Sequence, residues 1–165
     1  MAGVRRLNHA VLYVSDVKRS AAFYAATLGF SVVHDMGSAA FLRADASPND
    51  HDLGLFQVGT APGAPRTQRA PGLYHLAWQV DAIDELVAIR ARLVSANALV
   101  GESDHGVSKS LYAADPDGIE FEVMWAVPQH SWDGNVGVEP LHLDREAQQW
   151  AGVGTIHEIN IPASS

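Results

Sequence analysis

LNHAVLYVSD, residues 7–16, is answered later in the chain by LYHLAWQVD, residues 73–81. Both read Leu-x-His, then a run of strand-forming residues, a valine five positions after the histidine, and an aspartate that is able to cap a helix. A helical pattern follows each copy. In the first, Val17, Ala21, Tyr24 and Leu28 recur at helical spacing, and Gly29 stands where a left-handed residue closes a helix. In the second, Ile83, Leu86, Val87, Arg90, Leu93 and Val94 do the same. Asp84 and Glu85 fall in its first turn and Arg90 and Arg92 later, the order the helix dipole favours.

Three short strand patterns follow each helix, at about 30–34, 39–44 and 52–58, and again at about 99–102, 109–114 and 119–125. Between the halves GTAPGAPRTQRAPG, residues 59–72, has the glycine and proline content of a linker. The predicted organisation is a βαβββ module over 5–58, a linker over 59–72, a second βαβββ module over 73–127, and a tail over 128–165. LHLDREAQQW in that tail predicts one short helix. The fold class is α+β, and a repeat of this size implies two modules that bury their open faces against each other. The expected result is a curved, half-closed mixed sheet whose concave face forms a cleft.

A chain of 165 residues with a 47% hydrophobic share is long enough for a real core. With no cysteine there is no disulfide, thiolate metal site or cysteine nucleophile. A net charge of −8 without a Lys/Arg cluster argues against a nucleic-acid partner. No apolar run reaches the roughly 18 residues of a membrane span, and MAGVRRLNHA, residues 1–10, lacks the apolar stretch of a secretion signal. A cytoplasmic protein without membrane attachment is expected.

DHGVSKSLYAADPDGIEFEVMW, residues 104–125, carries the second informative pattern. Ile119, Phe121 and Val123 share one strand parity, and Glu120, Glu122 and Met124 share the other. A carboxylate between Phe121 and Val123 therefore points to a polar site inside an apolar cup. His9 and His75 hold equivalent places in the repeat, and approximate twofold symmetry predicts that they approach each other. Two imidazoles and one carboxylate on separate strands match a 2-His-1-carboxylate facial triad, a ligand set suited to non-haem iron(II). The plainer alternative makes both histidines buried, hydrogen-bonded core residues. Aligning the last strands at Pro48 and Pro116 sets Gly54 against Glu122. The twin of the carboxylate is then a residue that cannot ligate, which leaves open positions for exogenous ligands; a strand irregularity at Gly54 is the alternative.

At these residues the chain, over about 5–127, resembles the vicinal oxygen chelate superfamily. Its members include glyoxalase I, the fosfomycin- and bleomycin-resistance proteins and the extradiol ring-cleaving dioxygenases. LNHAVLYVSDVKRSAAFYAATLGF, residues 7–30, is a typical opening for it. His105, Leu111, Tyr112, Asp115, Pro116, Gly118 and Glu122 stand in register with the extradiol signature, and Ser103 departs from it two residues before the histidine. His51 and Gly54 in HDLGLF, residues 51–56, also fit, although their opposite parity requires His51 to enter from the strand's mouth or a bulge. A glyoxalase I would carry Glu or Gln near Gly54, and Gln57 is three residues away.

The resemblance implies a metal-dependent extradiol dioxygenase in aromatic-compound catabolism, acting on a catechol-type diol with O2. It implies iron(II), with manganese(II) as the other candidate, held by His9, His75 and Glu122. His51 is implied beside the oxygen substrate as acid and base, and His105 and Tyr112 as hydrogen-bond partners of the substrate oxygens. Tyr112 as an ordinary strand aromatic and His105 as a surface loop residue are the plain alternatives. Phe56, Trp78, Met124 and Trp125 are candidates to line an aromatic-substrate pocket, with core packing as their alternative. His34, His130, His142 and His157 have no such register and read as surface or tail residues. Pro116 and Gly118 suit the second and fourth positions of a type I turn that would aim Glu122 inward. Many extradiol enzymes are about twice this long, and a homodimer or other homo-oligomer is expected. The alternatives are a glyoxalase-like isomerase or thiol transferase of the same fold, or a metal-free resistance protein that binds a small molecule.

Overall fold

The computed structural model describes residues 4, 6–58, 73–132, 134 and 137–155. The segment expected to be a linker, residues 59–72, lies outside the described residues, as does His157. The first repeat runs β1 (Ala10–Val14), α1 (Val17–Leu28), β2 (Ser31–Asp35), β3 (Ala39–Arg43) and β4 (Leu53–Gln57). The second runs β5 (Leu76–Val80), α2 (Ile83–Ser95), β6 (Leu99–Asp104), β7 (Ser108–Ala114) and β8 (Glu120–Ala126). A 3₁₀ turn at Gln129–Ser131 and helix α3 (Leu143–Trp150) follow, the latter within the stretch where one short helix is expected.

Two four-stranded sheets result, ordered β1-β4-β3-β2 and β5-β8-β7-β6. In each the first and last strands of the repeat pair parallel, and the β2–β3, β3–β4 and β6–β7 pairs are antiparallel. The equivalence reaches the irregularities, since register shifts fall between Val32 and His34 in one sheet and between Leu99 and Gly101 in the other. This is the α+β, tandem βαβββ arrangement that the repeat predicts.

Helix α1 begins where Asp16 accepts the Arg19 N–H and ends at Gly29, whose φ of 78° a β-carbon would strain. It buries Val17, Ser20, Ala21, Tyr24 and Thr27. In α2 the expected aspartate cap does not form. LYHLAWQVD is one residue shorter between its histidine and aspartate than LNHAVLYVSD, so the N-cap position falls on Ala82. Glu85 compensates by turning back to accept the Asp81 and Ala82 N–H groups, while the Asp81 carboxylate takes the Thr155 N–H at 2.8 Å. The buried stripe of α2 is Ile83, Leu86, Ile89 and Leu93; Val94, expected on that stripe, is exposed.

Strand parity separates the two faces of each sheet. In the first, Leu12, Val14, Ala40, Leu42, Leu53 and Leu55 are buried on the face that meets α1. In the second, Leu111, Ala113, Phe121, Val123 and Trp125 are buried on the face that meets α2. Trp125 is fully buried, donates its indole N–H to the Asp81 carbonyl at 3.1 Å and packs on Trp150 of α3. That leaves Val11, Tyr13, Gly54 and Phe56 on the opposite face of the first sheet, and Ala77, Gln79, Glu122 and Met124 on that of the second. The register sets Trp78 against Val123, so its strand position is on the α2 side and not on the Glu122 face.

The contacts divide the chain into two compact units, Met1–Leu73 with Ala114–Ile119, and Tyr74–Ala113 with Glu120–Ser165. The turn joining β7 to β8 thus belongs to the first unit. Gly118 N–H donates to the Asp115 carbonyl at 2.9 Å, the expected four-residue turn, and the Asp115 carboxylate accepts the Asp117 and Ile119 N–H groups. Tyr24 donates its hydroxyl to Asp115, and Asp117 accepts from Ser15 N–H, Ser15 Oγ and Arg19. Burial pushes the Asp115 carboxyl above its ordinary value. Burial would raise Asp117 too, but the Ser15 hydrogen bonds and Arg19 outweigh it and hold that carboxyl below its ordinary value.

Because the folded value of Asp117 lies under the unfolded one, its contribution is complete above the unfolded pKa of about 3.9 and is lost as pH falls through the folded value. Asp117→Asn is therefore expected to remove about 1–2 kcal/mol of stability at pH 7, Arg19 being half-exposed and screened. Urea unfolding at a series of pH values checks this: the gap to the parent protein should close below about pH 4.

Candidate functional site

The register tests the relation between Gly54 and Glu122. Gly54 pairs with Val11, two residues after His9, and Glu122 pairs with Ala77, two residues after His75. His9 and His75 each precede the first strand of their sheet by one residue. Glycine and glutamate therefore occupy the same place in the two repeats. Gly54 has regular strand pairing to both β1 and β3, so no irregularity accounts for it.

In the second unit His75 Nε2 stands 3.0 Å from Glu122 Oε2. His75 Nδ1 is buried and has no hydrogen-bond partner among the described residues. A buried polar atom is expected to find a partner, within the chain or outside it. Tyr112 lies beside this pair, its ring centroid 5.8 Å from that of His75, and its hydroxyl is 2.9 Å from His105 Nε2. Burial first, and then the charge of Glu122 and the neighbouring Tyr74, push the Tyr112 phenol above its ordinary pKa. It is therefore a proton-bearing hydroxyl at neutral pH. Met124 follows Glu122 on the same face of β8.

In the first unit the His9 and His51 rings lie 4.7 Å apart, and Phe41 closes on His51 at 4.8 Å. His9 Nδ1 is 2.9 Å from Asn8 Oδ1, which fixes the ring and leaves Nε2 free of that bond. His51 Nδ1 is 2.9 Å from Asp50 Oδ2. That hydrogen bond, with the charges of His34 and Arg43, holds the exposed Asp50 carboxyl below its ordinary value. His51 precedes β4 and lies outside its regular pairing, so strand parity with Gly54 imposes nothing on it. Phe56 sits on the Gly54 face, half-exposed, with Phe41 at 5.8 Å.

The expected ligands thus fall as a pair and a single residue, with His75 and Glu122 in one unit and His9 in the other. Among the described residues of either unit no three His, Asp or Glu side chains gather into a metal-holding group. The 3.0 Å between His75 Nε2 and Glu122 Oε2 is an ordinary hydrogen-bond length and also the span of two donors to one divalent ion. Two donors each about 2.1 Å from one ion and at right angles stand about 3.0 Å apart, the separation observed. Asn8 and Asp50 went unremarked in the sequence; the only signal was their position beside His9 and His51, since ring nitrogens need an orienting partner. Gln57, the nearest candidate for a further ligand on β4, is used elsewhere: its side-chain oxygen accepts the Val17 N–H at the start of α1.

The sequence model described as the Glyoxalase/Bleomycin resistance protein/Dioxygenase superfamily matches residues 6–123. The chain belongs to that superfamily. Catechol-2,3-dioxygenase of Bacillus subtilis (strain 168) is 30% identical over 144 residues, 85% of this chain and 50% of that protein. Biphenyl-2,3-diol 1,2-dioxygenase 3 of Rhodococcus globerulus is 32% identical over 144 residues, 81% of this chain and 72% of that protein. The chain therefore spans half the length of the Bacillus relative. The crystal structure of a glyoxylase/bleomycin resistance protein/dioxygenase domain from Frankia sp. EAN1pec superposes with a TM-score of 0.64 at 20% identity. It covers 80% of this chain and 99% of that one, and shows the fold shared by the superfamily. The matched segment stops at residue 123, inside β8, so α3 lies beyond it. Among the described residues no helix is long and apolar enough to cross a membrane.

Proposed function

We propose that the protein is an extradiol ring-cleaving dioxygenase that uses O2 to open a catechol-type diol at an iron(II) centre held by His9, His75 and Glu122. The observation that carries this reading is the pairing of His75 with Glu122 at the register where the other repeat has His9 and a glycine. A 2-His-1-carboxylate set with no fourth donor at the Gly54 position of β4 suits a reaction in which substrate and oxygen both need a place. The relatives named as a catechol and a biphenyl-2,3-diol dioxygenase support the same class. A glyoxalase-like reading asks for a further donor on β4, where Gly54 offers none and Gln57 is engaged with α1.

Iron bound there would supply electrons for oxygen activation and adjacent positions for diol and O2. The remaining work belongs to the side chains. Tyr112, kept protonated by burial and by Glu122, donates a hydrogen bond to a substrate oxygen on which negative charge builds. His105, with Nε2 at 2.9 Å from the Tyr112 hydroxyl, donates its ring N–H to that oxygen and so turns the phenol proton toward the substrate. His51 takes and returns a proton on the oxygen side, with Asp50 holding its ring and stabilising the imidazolium. Phe56 and Met124 supply apolar wall for an aromatic ring.

The test loads purified protein anaerobically with Fe(II) and then supplies O2 with a panel of substituted catechols. At least one should yield a yellow ring-opened product with matching oxygen uptake. Full metal occupancy without oxygen consumption on any member of the panel would remove the dioxygenase reading.

A further inference from the structure

His105 sits in the loop of the β6–β7 hairpin, and that loop is fastened on its far side by residues the proposed chemistry does not use. The hairpin is tight: His105 N–H donates to the Ser108 carbonyl at 2.9 Å, and Gly106, with φ of 75°, takes the first of the two loop positions. Asp104 and Lys109 are its last paired residues. The Asp104 carboxylate accepts the Gly106 N–H through Oδ1 at 2.8 Å and meets Lys109 Nζ through Oδ2 at 2.6 Å. Burial alone would raise that carboxyl, but the hydrogen bonds from Lys109 and Gly106, with the charges of Lys109 and Arg145, hold it below its ordinary value.

Lys109 has the opposite strand parity to Tyr112, so it lies on the other face of β7. Its ammonium also reaches Glu146 Oε2 of α3 at 3.4 Å, and the Lys109 and Glu146 side chains are only 7% and 5% exposed. Glu146 is itself held by Arg145 and by the Trp150 indole N–H. The backbone is tied as well: Asp104 and Glu139 exchange N–H to carbonyl bonds in both directions at 2.8 Å. Glu139 and Glu146 both lie beyond the segment 6–123 matched by the superfamily. The hairpin carrying His105 is therefore clamped by the chain's C-terminal region, through an ammonium buried between two carboxylates.

We propose that Lys109, bridging Asp104 and Glu146, is a positioning residue for His105: through it α3 sets the hairpin that aims His105 at the Tyr112 hydroxyl. This rests on the reading of His105 and Tyr112 as substrate-side groups, but the ring placement is measurable without any substrate. A buried bridge of this kind has one geometry, whereas a hairpin anchored by backbone pairing alone is free to rock about its last strand pair.

The experiment compares the parent protein with Lys109→Met, which keeps the length of the stem and removes the charge, with Lys109→Arg, and with Glu146→Gln. The first readout is the His105 ring proton signal in NMR of the metal-free full chain, assigned by its absence in His105→Gln. It should move or broaden in Lys109→Met and Glu146→Gln and return toward its parent position in Lys109→Arg. His9 and His51, in the other unit, should keep their signals. The second readout is steady-state ring cleavage, where kcat should fall about tenfold in Lys109→Met with iron content unchanged. An unmoved His105 signal in a folded Lys109→Met or Glu146→Gln protein overturns the proposal. If Lys109→Met does not fold, Glu146→Gln decides by the same signal. A shifted signal in a protein that cleaves no catechol would sink the dioxygenase reading while upholding the positioning role.

Discussion

Glu122→Ala is expected to lose iron and ring cleavage together. Its carboxylate is the only oxygen donor of the proposed set, and it stands 3.0 Å from His75 Nε2. Removing an outer partner of a ligand already weakens metal binding 10- to 100-fold in typical sites, so loss of a direct ligand should exceed about 100-fold. Several kcal/mol of metal-borne charge stabilisation goes with it, equivalent to a fall in turnover on the order of 10³-fold. Metal analysis after dialysis and oxygen uptake read the two quantities separately. If His75 and Glu122 were only a structural pair, the substitution would lower stability, since breaking a buried pair strands a charge, and would leave iron and turnover in step with the folded fraction. Glu120→Ala is the control: that residue shares the parity of Glu122 but is exposed at the start of β8, and its loss should change neither readout.

Gly54→Glu is expected to keep iron and abolish turnover. The register makes Gly54 the twin of Glu122, so the substitution offers the centre a second carboxylate from the first repeat. A β-carbon at Gly54 would meet Val11 Cγ2 at 3.4 Å and Phe41 Cε1 at 3.5 Å, ordinary contact distances. Gly54→Ala should accordingly retain most activity, which separates the effect of a side chain from that of a donor. With the extra carboxylate occupying a position that diol or O2 requires, ring cleavage should fall about 100-fold or more while iron binds at least as tightly. Iron retention is followed by competition with a chelator, and cleavage by product absorbance. Unchanged turnover in an iron-loaded Gly54→Glu protein would mean that this strand does not face the reacting groups.

Much of this was open to reading because it depends on local rules. The two-residue period of IEFEVM, residues 119–124, separates Phe121 and Val123 from Glu122 and Met124, and the structure buries the first pair and not the second. The Asp16 cap and the Gly29 stop bound α1 as expected. The same parity rule places Trp78, three residues after His75, away from the Glu122 face. The α2 cap went wrong by one position because the repeats differ in length by one residue after the histidine, and Glu85, not Asp81, bonds the free N–H groups. Interactions between distant segments had no local signature. Lys109 in VSKSLY, residues 107–112, reads as a solvated charge until α3 brings Glu146 to it, and Asp115 as a turn residue until Tyr24 reaches it from 91 residues away. Among the candidate site residues, His75 and Glu122 lie 3.0 Å apart, and the orienting partners Asn8 and Asp50 needed coordinates.

The turn from Asp115 to Ile119 has a consequence for how the chain folds. Its side-chain partners Ser15 and Tyr24 lie 102 and 91 residues earlier, so the loop that these contacts close is long. The second repeat, despite carrying a full set of βαβββ elements, takes side-chain partners for its last turn from the first. Of the donors to the turn's two carboxylates among the described residues, only the Asp117 and Ile119 N–H groups on Asp115 come from the second repeat; the Tyr24 hydroxyl, Ser15 and Arg19 come from the first. The carboxylate-bearing strand is thus tied, through the turn that precedes it, to the N-terminal helix, and closing that contact costs more chain entropy than a local turn would.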